Sequence, residues 1–410
     1  MQSESSSQLW RNRDFVLLWG GQALSLLGTQ ISTFALPLLI LALTNSPAQT
    51  GFILSVQRLP FLLLSLPVGA FIDRWNRKLI MLLADAARFL LYSSLPIAYA
   101  LAALTIVHLY LIALIGGIAL VFFDIAHSAA VPRVVSSKQL PSAAALREGT
   151  SASADLLGAG IGGFLLGLAP TIAAGAALAY LADSLSYLAS VLGLAIIHTP
   201  FQVERLLQDS RPSLGREVAA GLRFLWTHAH LRPLALLGTS IKLLGATSTL
   251  AIVVLARNEL HLAALALGLI LTVGGVGGIG GALFVPWLKT RVPAGQILLG
   301  VILLWVASAA LLALAFSPVI LIVGWAIFTL ASPIYFATAF AYRANLVPDG
   351  LQGRVNSIYR TMLQAGVVLG STLGGLLLSL LGARLTFWLI ALGLLFSLSL
   401  IVLTELRHAQ

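Results

Sequence analysis

Apolar residues in this chain come in long blocks. The first, Phe15 to Leu43, follows a short polar tail. It is too long for a signal-peptide core and has no small-residue cleavage site behind it, so it is expected to stay as a first membrane span. Eleven more blocks follow at about 51–71, 79–101, 106–130, 151–168, 174–198, 233–256, 264–288, 296–316, 318–342, 356–380 and 383–404. Each approximates the ~20 residues a helix needs to cross a bilayer. The connections are short except for 201–232, which divides the chain in two. The pattern predicts an all-α integral membrane protein of twelve transmembrane helices in two pseudo-symmetric six-helix bundles, residues 1–200 and 233–410, joined by a linker at 201–232. Within that linker Leu214, Val218, Leu222 and Leu225 recur at helical spacing, with Arg216, Glu217 and Arg223 elsewhere. That stretch reads as an amphipathic helix on the inner membrane surface or as a plain linker.

Composition sharpens this. Of 410 residues 59% are apolar and 9% charged, which excludes disorder and most soluble enzymes. The net charge of +10 contains no run of five adjacent bases, so no nucleic-acid partner is expected. Its explanation is topological. With the amino terminus inside, 19 of the 24 Lys and Arg fall in inner tails and loops, and only Arg257 and Arg384 fall outside. Both termini are therefore expected in the cytoplasm. The chain has no Cys and seven scattered His, which gives no metal-ligand spacing. An internal echo supports duplication: Leu140 precedes Gly162-Gly163, and Leu351 precedes Gly374-Gly375, by nearly the same interval. Duplicated bundles are a recurrent transporter plan.

After the second span comes Gly69-Ala-Phe-Ile-Asp73-Arg74-Trp-Asn-Arg77-Lys78. Here Asp73 can cap a helix end, and Arg74 or Arg77 can pair with an acid on another, as a latch on the inner side would require. The motif resembles the signature of the major facilitator superfamily. Further stretches resemble its drug-exporter branch, which includes macrolide efflux proteins and the enterobactin exporter: Arg13-Asp-Phe before Leu18-Trp19-Gly20-Gly21-Gln22, Asp85-Ala-Ala-Arg88, Phe122-Phe123-Asp124 with Val131-Pro132-Arg133, and Pro348-Asp349 with Gly353-Arg354-Val355-Asn356. The resemblance covers essentially the whole chain. It implies outward transport of a lipophilic compound, usually in exchange for protons, with Asp124 accepting an Arg from the loop motif in a cytoplasmic gate formed with Gly69, Asp73, Arg74, Arg77 and Lys78. Two departures stand out. The fifth span, Gly158-Ala-Gly160-Ile-Gly162-Gly163, lacks the proline of the antiporter element, and the second-half loop Trp287-Leu-Lys289-Thr-Arg291 keeps only bases.

Gly158 to Gly163 and Gly275 to Gly280 fit a dinucleotide fingerprint by letter, but each lies inside an apolar run with no strand before it, so close helix packing is expected instead. No Walker A sequence occurs, and neither cofactor nor metal is expected. Ionisable groups within spans are functional candidates because they are costly there. Asp85 and Arg88, three apart, are expected to neutralise each other. Arg58 and Lys242 need partners, either Asp155, Asp183 or an anionic part of the substrate. Asp155 and then Asp183 are the candidates for proton coupling, with fixed ion pairs as the alternative. Gln22, Ser25, Thr29, Ser32 and Thr33 form a polar stripe expected to face a substrate cavity, to which Arg58, Lys242, Tyr335 and Gln364 are further candidate contributors. The expected function is a monomeric exporter of an amphipathic drug-like small molecule. A siderophore, secondary metabolite or lysolipid is the alternative cargo, and an embedded enzyme or a channel is the distant rival.

Overall fold

The computed structural model describes residues 9–72, 74–202 and 214–402, whose regular structure is helical throughout. Before the long connection lie α1 (Arg13–Thr44), α2 (Pro47–Ile72), α3 (Arg77–Ala100), α4 (Ile106–Val134), α5 (Leu140–Leu168) and α6 (Ile172–Ile196). After it come α7 (Leu214–Thr227), α8 (Leu231–Val254), α9 (Ala264–Lys289), α10 (Ala294–Ala313), α11 (Pro318–Leu346) and α12 (Gln352–Val402). Gly382 breaks α12 into two arms at φ 75°, a conformation that favours glycine. Among the described residues ten helices are long and apolar enough to cross a membrane. The bent one supplies two crossings and the 26-residue Pro47–Ile72 adds another, so twelve result, as the apolar blocks predict.

Helix starts follow from local chemistry. The side chains of Asn12, Asn76, Thr105, Thr171 and Ser317 each accept the N–H three residues on, satisfying a donor the helix itself cannot. Several helices outrun their apolar blocks. α5 begins at Leu140, not near 151, and α4 and α11 continue to Val134 and Leu346. Hydropathy reports what meets lipid, whereas Ala143 to Glu148 is simply good helix former, with Pro141 in the first turn where its missing N–H costs nothing.

The chain divides into two compact units. One comprises residues 1–45, 56–207 and 263–269; the other comprises 46–55, 208–262 and 270–410. In the first unit α6 packs on α1 and α3, α5 packs on α1, and α4 packs on α3. Its apolar core gathers Phe15, Leu18, Ile72, Met81, Phe123 and Phe201. The fifth span's glycines serve packing: a Cβ on Gly163 would come within 3.0 Å of the Gly268 Cα. In the second unit α8 packs on α12, and α10 packs on both α11 and α12. α7 lies against α12, burying Leu225 with Val355 and Ile358 and leaving Leu222 and Trp226 exposed. Leu90, Leu283, Leu380 and Phe396 are 68–79% exposed, which is sensible only against lipid.

Candidate functional site

The first unit holds a buried charged network. Asp85 and Arg88, one turn apart on α3, form the expected ion pair, and both are nearly inaccessible. The Arg88 guanidinium also lies 4.7 Å from the Phe123 ring and 4.4 Å from that of Tyr187. Asp183 of α6 is fully buried and accepts a 2.5 Å hydrogen bond from Ser32 of α1. One turn on, the Tyr187 hydroxyl meets Thr29 at 2.9 Å. Tyr92 packs against Tyr180 and Tyr187 with centroids 5.3 and 5.4 Å away. Two carboxylates thus lie about one guanidinium in a place sealed by aromatic rings. α1 can come this close because Gly28 has no side chain: a Cβ there would sit 3.0 Å from the Asp183 Cα.

This placement corrects the reading of the α1 stripe as cavity-facing. Ser25 is 2% exposed, and Thr29 and Ser32 are spent on α6, because the polar stripe satisfies buried groups inside its own bundle. Gln22 lines a cavity of about 270 Å³ with Trp19, His127, Val131, Arg147 and Thr150. The cavity is mostly apolar, and the Gln22 Oε1 and His127 Nδ1 atoms are buried without a hydrogen-bond partner among the described residues. Asp155 lies elsewhere on α5, exposed, where it accepts from the Gln30 amide. The half-buried Arg58 is within electrostatic reach of Asp155 and Tyr92, so Asp155 offers its charge a partner.

At one end of this unit, cations and polar caps tie helix ends together. The buried Arg77 guanidinium donates to the carbonyls of Ala129, at 2.9 Å, and Phe201, at 3.2 Å. Lys78 donates to Ala195 and Ile197 at the end of α6. The Ala195 and Ile197 carbonyls are ones that a helix terminus leaves unsatisfied, and a cation suits them. Asp14 accepts from the backbone and hydroxyl of Thr199, and Asn12 donates to Val134. Arg74 is exposed and Gly69 half-buried; Asp73 lies outside the described residues. Asp124 departs from expectation: its ion pair is with Arg147 of α5, at 2.8 Å, rather than with the loop motif. The reason is the early start of α5, which brings Arg147 alongside α4. Asp124 itself lies ten residues, ~15 Å, short of the end of α4.

In the second unit the Lys242 ammonium stands 4.3 Å from the Phe336 ring. Tyr335 is a correction: it is fully buried, its ring 5.6 Å from that of Trp305, so it belongs to the core rather than to a cavity wall. Gln364 is half-buried on α12. Sequence reasoning missed Arg343, which it counted among loop cations. Arg343 is buried in the last turn of α11, 3.9 Å over the Tyr359 ring and bonded through Nε to Asn356 at 3.0 Å. The motif ending in Asn356 was the available signal. Among the described residues, no group of His, Asp and Glu could hold a metal ion.

The twelve-crossing helical fold has solved counterparts. A bacterial homologue of the iron transporter ferroportin, in an inward-facing state, superposes with a TM-score of 0.77 at 16% identity, covering 96% of this chain and 98% of that one. The nucleoside transporter NupG gives 0.74 at 14% identity, covering 96% and 98%. A bacterial homologue of the human lysosomal transporter Spinster gives 0.72 at 15% identity, covering 96% of each chain. The fold is that of the major facilitator superfamily, a class of membrane transporters and not of enzymes. Within it, the chain belongs to the transmembrane secretion effector family, whose profile matches residues 5–410. No curated protein matches it in sequence.

Proposed function

We propose that this multi-pass transporter exports an amphipathic small molecule across the bacterial inner membrane by proton-coupled antiport, working by alternating access as a monomer with both termini cytoplasmic. The observation that carries the coupling is the Asp85, Arg88 and Asp183 cluster. With both acids ionised, the one guanidinium leaves a net negative charge in a dry site, which is costly. A proton on Asp183 restores balance, since Asp85 already holds Arg88. Asp183 therefore takes precedence over Asp155, reversing the order read from the sequence, because an exposed carboxylate gains less from a proton. Arg77, Lys78 and Arg74, with the Asp124–Arg147 pair and the Asp73 and Gly69 of the loop, serve as the cytoplasmic gate.

Arg58, Lys242, Gln364 and the apolar cavity beside Gln22 are the substrate-contacting candidates. The expected cargo is drug-like and lipophilic, as in multidrug efflux and antibiotic resistance. A siderophore, secondary metabolite or lysolipid with an anionic group is the second reading, favoured by the cations Arg58 and Lys242. Counterflow by the reconstituted protein across paired charged and neutral analogues tests both. Saturable exchange of lipophilic compounds is expected. Conductance without saturable exchange would refute the carrier, and tighter binding of cations than anions would remove the second reading.

A further inference from the structure

The second-half loop that keeps its bases but lacks an acid leads to a site. A cavity of about 480 Å³ lies in the second unit, between the Lys289 to Pro293 connection, the first turns of α10 and the end of α11. Its lining includes Lys289, Arg291, Thr338, Tyr342 and Asn345 and no carboxylate. Lys289 has one bond, to the Ala337 carbonyl at 3.2 Å, and Arg291 stacks 4.8 Å from Trp287. Neither cation is neutralised by an acid among the described residues.

Two further observations point to an anionic ligand. Thr338 is 2% exposed, and its hydroxyl has no hydrogen-bond partner among the described residues, although a hydroxyl left unpaired in the interior is expensive. The 20-residue α10 also begins here with no side-chain cap, so its first N–H groups and positive dipole end face the same region. Two cations, an orphaned hydroxyl and a helix amino terminus converge on what an anionic phosphate would satisfy. Trp287 and Phe284, 50% and 56% exposed on the adjoining turns of α9, suit the membrane interface.

We propose that this cavity binds the headgroup of an anionic phospholipid, with the phosphate held by Lys289, Arg291 and Thr338 and the acyl chains passing the Trp287 face. The site is independent of which compound the chain exports. It supplies from the bilayer a counter-charge that the sequence of the second-half loop lacks.

Native mass spectrometry of the purified full chain, equilibrated with equal parts phosphatidylglycerol and phosphatidylethanolamine, tests it. Wild type should retain phosphatidylglycerol preferentially. At about fivefold per surface cation, the double variant Lys289→Gln/Arg291→Gln should bind it roughly thirtyfold more weakly. Thr338→Val should weaken it while leaving the melting temperature unchanged, and Arg291→Lys should keep most of the preference. Equal retention of the two lipids, or a preference untouched by the double variant and by Thr338→Val, overturns the proposal. Displacement of the lipid by millimolar inorganic phosphate overturns it too, since that describes a soluble-anion site.

Discussion

Arg147, which lines the 270 Å³ cavity, holds Asp124 at 2.8 Å and so joins α5 to α4. Both side chains are more than 30% exposed, so the pair contributes only about 0–1 kcal/mol to stability. Arg147→Ala or Asp124→Asn should therefore leave thermal melting nearly unchanged while abolishing transport in proteoliposomes. The reversed pair, Asp124→Arg with Arg147→Asp, should recover part of the transport. Normal export by both single variants removes the pair from the gate.

Arg77 should behave differently. It is 8% exposed and donates two charge-assisted bonds to carbonyls, each worth about 1.5–3 kcal/mol. Arg77→Ala should lower the melting temperature markedly as well as impair transport. Arg77→Lys, which keeps the charge but reaches fewer acceptors, should fall between. Melting curves of the three proteins decide this.

Gly28 is a point of contact between α1 and α6. A methyl there meets the Asp183 backbone at 3.0 Å and the Ser186 hydroxyl closer still. Gly28→Ala should cost about 1–3 kcal/mol of stability, read from chemical denaturation. Gly20→Ala, with nothing within 4 Å of the added Cβ, is the matched control and should be nearly silent.

His228 lies between α7 and α8, outside the membrane segments. Burial, with the nearby His230, lowers its pKa below the ordinary 6.5. Below 6.5 the unfolded chain therefore binds more protons at this site than the folded one. Its contribution to stability is present above the unfolded value and is lost as the pH falls. Melting at about pH 7.5 and about pH 5 should show a smaller acid loss in His228→Asn than in wild type.

The twelve crossings were legible because a bilayer imposes a length and an apolarity that no soluble core requires. Helix ends were less legible, as α5 illustrates: Ala143 to Glu148 continues the helix but is too polar to register as membrane, which hid Arg147 as the partner of Asp124. Ser25, Thr29 and Ser32 could be seen as a stripe. Whether they faced a cavity or Asp183 depended on which helix Gly28 let approach, and that is tertiary information. Tyr335 and Arg343 show the same limit in the second unit, where burial reverses what residue type suggests.

Under the proposed mechanism Asp183 carries the proton that drives export. Proteoliposomes with an imposed pH gradient measure it through accumulation of a lipophilic substrate, with counterflow at equal pH alongside. Asp183→Asn, which can still accept from Ser32, should keep counterflow and lose accumulation driven by the gradient. Gradient-driven accumulation at the wild-type level in Asp183→Asn would contradict the account.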